Sequence, residues 1–113
     1  MLANVYKISD EEDIKHVLSE GKFYQTDIFG VAVLKREDQD PPKFAFIISA
    51  KISKLAVHRN RINRALNEGV RQTLSRCPRG YSFVFLVKKA ITSKITEDIM
   101  KEIQRFLINT NLK

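Results

Sequence analysis

The sequence predicts an α+β fold in which helices lie against a small sheet. Three observations predict it. Apolar residues recur at threes and fours in three stretches, β-branched and aromatic residues cluster in short runs between them, and the resulting order is αβββαβα. At 113 residues and 13.1 kDa the chain fits one domain, residues 1–113, with no room for a second core. Its 43% hydrophobic and 9% aromatic content is that of a folded domain rather than a disordered one.

Ser9, followed by Asp10, Glu11, Glu12 and Asp13, predicts a helix start, because carboxylates in a first turn face the positive end of the helix dipole. This helix, over about residues 10–20, presents Ile14, Val17 and Leu18 on one face and stops at Gly21. The run from Lys22 to Leu34 reads as one bent strand or two, with Thr26-Asp27 as the bend. Asp38, Gln39, Asp40 and Pro41-Pro42 then interrupt any ladder, and Phe44 to Ser49 forms the next strand.

Ser53 is expected to cap a long helix whose buried stripe is Leu55, Ile62, Ala65, Leu66, Gly69, Val70 and Thr73, ended by Pro78 and Gly80. At 100° per residue, Arg61, Arg64, Glu68 and Arg71 fall opposite that stripe and Arg59 near its edge. A strand follows, with Tyr81, Phe83, Phe85 and Val87 on one face and Ser82, Val84 and Leu86 on the other. Thr96 is expected to cap a last helix that buries Ile99, Ile103, Phe106 and Leu107.

Charge is unevenly placed. The chain carries 20 Lys and Arg against 13 Asp and Glu, a net +7. Residues 51–80 hold eight basic residues (Lys51, Lys54, Arg59, Arg61, Arg64, Arg71, Arg76, Arg79) against the lone acid Glu68, whereas residues 1–50 are net acidic. A concentrated basic segment is the electrostatic footprint of a polyanion, nucleic acid first and a membrane surface second. A solvated helix face is the plainer alternative.

Other chemistry finds little support. No run approaches the roughly 18 apolar residues of a membrane span, and the N-terminus lacks a signal-peptide core, so the chain reads as soluble and cytoplasmic with no membrane partner. Cys77 is the single cysteine, which excludes an internal disulfide, and with His16 and His58 it cannot complete a four-ligand zinc site. His16 and His58 are separated helix residues with no sign that they meet as an acid and base pair. Glu37, Asp38 and Asp40 read as a solvated turn before a cation site, and Phe44, Phe46, Phe83 and Phe85 as core before a stacking surface. No catalytic residue and no protein metal ligand is expected.

The segment from Phe44 to Arg71 decides among these options. A strand ending in Ser49 passes through Lys51 and Lys54 to Ala56-Val57, then Arg59-Asn60-Arg61, Ile62 and Arg64. This resembles the signature of the bacterial ribonuclease P protein subunit, and the flanking elements extend the resemblance over about residues 10–109. The resemblance implies a two-layer α/β sandwich of ribosomal-protein type with a left-handed βαβ crossover, a handedness periodicity alone would not give. It also implies partners: the catalytic RNA subunit, which holds the Mg2+ that cleaves precursor tRNA, and the single-stranded 5′ leader of that precursor. Lys51, Lys54, His58, Arg59, Asn60, Arg61 and Arg64 are the expected RNA-binding residues, since guanidinium forks match phosphate oxygens and Asn60 can meet a ribose or base edge.

Two departures from the family pattern bear on the leader. The start of the chain is acidic, Ile14 and Leu18 occupy helix positions where aromatics are common, and Ala32 stands where a strand aromatic is common. That leaves Phe23 and Phe29 as stacking residues, with Ala32 marking the depleted position. Asn63 replaces a usual lysine, removing one phosphate-binding charge. A ribosomal-type RNA-binding module of similar fold is the alternative reading. A DNA-binding helix protein is weaker, because no helix-turn-helix pair is visible.

Overall fold

The computed structural model describes residues 2–109. In chain order it contains α1 (Glu11–Glu20), β1 (Lys22–Gln25), β2 (Phe29–Lys35), β3 (Lys43–Ile47), α2 (Ala56–Thr73), β4 (Tyr81–Val87) and α3 (Thr96–Asn109). Short 3-10 turns lie at Asn4–Tyr6, Leu74–Arg76 and Lys89–Ser93. The strands form one sheet in the order β1-β2-β4-β3, antiparallel except for the parallel pair β3 and β4, which α2 connects as a crossover.

The expected bend between the first two strands is a hairpin turn built on Thr26. Its backbone N–H donates to the Phe29 carbonyl at 2.8 Å, and its hydroxyl oxygen accepts from the N–H groups of Ile28 and Phe29 at 3.3 and 3.2 Å. Lys88 Nζ, at the end of β4, donates to Gln25 Oε1 and the Thr26 carbonyl, both at 2.8 Å, so the hairpin tip is tied to the central strand.

Alternation sorts the sheet residues as expected. Phe29, Val31, Val33, Phe83 and Phe85 face α2 and α3 and are buried there with Phe44. Phe44 stacks on Phe83 at 5.1 Å and Phe46 on Phe85 at 5.3 Å; Phe44, Phe83 and Phe85 are core as expected, while Phe46 is half-buried and packs against it. Gly69 lets α2 and α3 close on each other: a Cβ there would lie 2.5 Å from Ile103 Cγ2. On the opposite face α1 lays Val17 over Ala32, Ala45 and Val84, small residues that form a second, smaller apolar cluster.

Helix starts differ from the sequence expectations. Asp10, not Ser9, caps α1, its carboxylate accepting from Glu12 N–H at 3.0 Å. The α2 cap is Leu55, which has no capping side chain; Ser53 Oγ instead accepts from Leu55 N–H at 3.3 Å, turning the chain before the helix. Leu55 consequently leaves the stripe and is 56% exposed. Asn67 joins the stripe in its place, its amide donating to the Asn63 carbonyl and Oδ1 at 2.7 and 3.0 Å. Thr96 is the first residue of α3 rather than its cap, since Asp98 and Ile99 N–H donate to the Ile95 carbonyl.

The β2–β3 loop is fixed by Arg36. Its guanidinium donates to Asp38 at 3.0 Å, to the carbonyls of Tyr81 and Pro41 at 2.7 and 2.8 Å and to Ser82 Oγ at 3.0 Å. Hydrogen bonding to that guanidinium holds the Asp38 carboxyl below its usual range. Gly80 closes the loop from the other side at φ 79°, with no room for a Cβ beside the Asp38 carbonyl, 2.6 Å away.

Candidate nucleic-acid interface

The parallel pairing of β3 and β4 requires a long return, and that return carries the basic motif. Lys51 and Lys54 are exposed in the segment after β3, His58, Arg59, Asn60 and Arg61 occupy the first turns of α2, and Arg64 follows one turn later. The first helix turn also lies at the positive end of the helix dipole. Side-chain charge and dipole therefore have the same sign here, an arrangement that attracts anions.

Two of the arginines are anchored by backbone carbonyls. Arg59 Nη1 donates to the Ser53 carbonyl at 2.7 Å, and Arg61 Nη1 reaches the Lys94 carbonyl at 3.4 Å and Thr96 Oγ1 at 3.5 Å. His58 Nδ1 lies 3.5 Å from Ser53 Oγ. Among the described residues, no ion pair neutralises Lys51, Lys54, Arg59, Arg61 or Arg64, whereas Arg71, farther along the same helix, is bridged to Glu68. The hydrogen bond from Arg71 draws the Glu68 carboxyl down to about 2. The motif end of α2 thus keeps its charge available and the far end does not. Arg61 and Arg64 line a groove of about 410 Å3 between α2 and the start of α3.

A second surface lies on the α1 side of the sheet. Phe23 is 48% exposed, and its ring covers Gly30, where a Cβ would meet Phe23 Cζ at 2.5 Å. Gly30 pairs with Leu86 and Leu86 with Ile47, the two larger side chains half-buried, so the register lines up an apolar row across three strands. The other two expected leader contacts are corrected by burial. Phe29 is fully buried, edge-on to Phe85 and Phe106, and offers no ring face to a base. Ala32 is 1% exposed beneath α1, so a tyrosine at this position would have to displace that helix.

A groove of about 260 Å3, lined by Lys7, Ile8, Ile14, Ile47, Asn63 and Asn67 among others, lies between α1, β3 and α2. Asn67 was not foreseen as a lining residue, although its i,i+4 spacing from Asn63 is a usable signal. Lys7 had no such signal, since it is placed by the bridge of its segment to Phe44. His16 lines a different groove, beside Lys7, Arg36 and Lys43, and has none of the partners of His58. Burial raises the Cys77 thiol to about 11, unlike an activated nucleophile. Among the described residues no group of three or more His, Cys, Asp or Glu could hold a metal ion, and no helix is long and apolar enough to cross a membrane.

These features define a small α/β protein with an unneutralised basic motif at the start of its crossover helix and a partly open apolar row on one sheet face, a class suited to docking on polyanions. The family model described as Ribonuclease P matches residues 2–111. The ribonuclease P protein component of Microcystis aeruginosa is 25% identical over 114 residues, covering 98% of this chain and 95% of that protein. That of Picosynechococcus is 28% identical over 111 residues, with 98% and 95% covered. The fold matches the RNase P protein of Staphylococcus aureus (TM-score 0.82, 20% identity, 88% of this chain and 90% of that chain) and that of Thermotoga maritima (TM-score 0.81, 18% identity, 93% and 97%). The chain belongs to the ribonuclease P protein family, and with it to tRNA processing.

Proposed function

We propose that this chain is the protein subunit of a ribonuclease P holoenzyme, binding the catalytic RNA through the basic crossover and the 5′ leader of precursor tRNA through the α1 side of the sheet. The observation that carries the reading is the group of cations Lys51, Lys54, Arg59, Arg61 and Arg64, which no described carboxylate neutralises, on the crossover of this family's fold. Arg59 and Arg61, steadied by backbone carbonyls, would present their remaining N–H groups to phosphates, with His58 and Asn60 supplying neutral hydrogen bonds beside them. Phe23 would supply the stacking surface for a leader base.

Cleavage of the leader would be carried by the RNA, with its Mg2+ held there and no step passing through a protein side chain. The protein would contribute affinity and position, acting in the cytoplasm where precursor tRNA is matured. The test is reconstitution with a bacterial ribonuclease P RNA and a labelled precursor tRNA in magnesium. Leader removal should depend on the RNA and be stimulated by the protein at low magnesium. Cutting by the protein alone would overturn the assignment of cleavage to the RNA, and no stimulation across several such RNAs would return the chain to a non-catalytic RNA-binding role.

A further inference from the structure

A hollow of about 590 Å3 shares no lining residue with the α2–α3 groove or the groove lined by Lys7 and Asn63. It lies at the end of the sheet where β1, β2 and the start of β4 meet, and is lined by Glu20, Lys22, Tyr24, Val33, Lys35 and Tyr81 among others. Strand alternation puts Lys22, Tyr24, Val33, Lys35 and Tyr81 on the same sheet face: Lys22 pairs with Val33, and Lys35 with Tyr81. Each lysine therefore stands by a tyrosine. Lys22 Nζ is 5.5 Å from the centroid of the Tyr24 ring, and Lys35 is directly across the ladder from Tyr81.

Both rings are held from behind. Tyr24 meets Phe106 edge-on at 5.8 Å, and Tyr81 leans on Phe83 at 6.4 Å, so each is half-buried with part of its surface facing the hollow. Both lysines are exposed and neither is ion-paired among the described residues, which leaves two positive charges against the single carboxylate of Glu20. Supported aromatic surfaces alternating with unpaired cations suit a flexible polyanion with flat bases: phosphates need the charge, and bases need a ring already fixed in place. An acidic peptide would use the lysines and leave the rings without a matching group.

We infer that this hollow is a second RNA site, which takes single-stranded RNA with its phosphates on Lys22 and Lys35 and its bases against Tyr24 and Tyr81. It is separate from the crossover surface, so its failure and the failure of the holoenzyme reading can be told apart. The probe is a 4-thiouridine-containing oligouridylate of roughly ten nucleotides, enough to cover one such site, photocrosslinked to the full chain and mapped by peptide mass spectrometry. Crosslinks are expected on the peptides that contain Tyr24 and Tyr81. They should persist in Arg59→Ala/Arg61→Ala and fall about tenfold in Lys22→Gln/Lys35→Gln, whose exposed side chains leave the core untouched. Binding followed by anisotropy should lose about 1.4 from its log–log salt slope in the lysine variant, two phosphate contacts' worth for a single strand. Crosslinks confined to α2, or crosslinks at the tyrosines that the lysine changes leave undiminished, would overturn the assignment and free the hollow for a protein partner.

Discussion

The two faces of the sheet are made from different side chains. Toward α2 and α3 it shows Phe29, Val31, Val33, Phe83 and Phe85, all buried; toward α1 it shows Gly30, Ala32, Ala45, Ser82 and Val84. Bulky rings fill the space under two long helices, and burying that much apolar area is what stabilises the domain. Small residues let one ten-residue helix approach closely, yet Leu86 and Ile47 stay only partly covered, and Gly30 beside Leu86 is covered by the Phe23 ring. One face holds the fold together, so the other is free to stay open.

That contrast is most sharply tested on the packed face. Phe83→Ala should cost about 3–5 kcal/mol, whereas Val17→Ala on the inner side of α1 should cost about 1.6 kcal/mol for two methylenes. Urea unfolding monitored by circular dichroism gives both values. Equal losses would mean that α1 carries as much of the stability as the aromatic layer.

Next in size is the basic crossover. Arg59→Ala/Arg61→Ala should weaken binding to the catalytic RNA by about 3 kcal/mol, roughly 150-fold, if each charged contact contributes about 1.5 kcal/mol. Lys94→Ala/Lys101→Ala should change it far less. Filter binding at fixed salt distinguishes positioned guanidinium groups from net charge, and matched losses for the two pairs would favour net charge.

A smaller effect belongs to the open face. Phe23→Ala should lower the preference of the holoenzyme for precursor over mature tRNA by about tenfold, the loss of one base-stacking surface at about 1.4 kcal/mol. Its half-exposed ring should make the accompanying change in melting temperature slight. Unchanged discrimination would move leader recognition off this face altogether.

The smallest effect is a pH dependence away from both faces. The Glu68 carboxyl is lowered from 4.5 to about 2 in the folded chain by its hydrogen bond from Arg71. A depressed carboxyl stabilises the fold above its unfolded value and loses that contribution as pH falls from about 4.5 towards 2. The pair is exposed, so the effect should be modest and screened by salt. Stability curves at falling pH should therefore be slightly flatter for Glu68→Gln than for the parent.

Much of this arrangement was legible in the sequence. The sequence pattern located the three α-helices and the sheet segments, leaving open whether residues 22–34 form one bent strand or two, and alternation along residues 81–87 assigned both faces of β4 correctly, because that strand pairs with β2 in unbroken register. Helix starts were less legible: Ser9, Ser53 and Thr96 are all good capping residues by type, but which hydroxyl or carboxylate caps depends on the angle at which the chain enters. The cations of the site could be named from the Arg59-Asn60-Arg61 run, yet Phe29 and Ala32 were misplaced. Sequence identifies a residue as aromatic or small, whereas which side of the sheet it faces, and what covers it there, follows from register and from the position of α1. Lys7 and the Tyr24 and Tyr81 hollow depend on pairings between distant segments and had no local signature.

The strand order β1-β2-β4-β3 also bears on how the molecule comes into being. The central strand β4 is the last to be synthesised, and it alone bonds β2 to β3. Until residues 81–87 leave the ribosome, the nascent chain holds a hairpin and a lone strand with open inner edges and no common sheet. Phe44 must wait for Phe83, its stacking partner across the ladder, before either ring is sheltered. Such late, non-local pairing slows folding and leaves sticky edges exposed meanwhile. Translation of this chain should therefore yield little native structure before β4 emerges, followed by collapse of the whole domain at once.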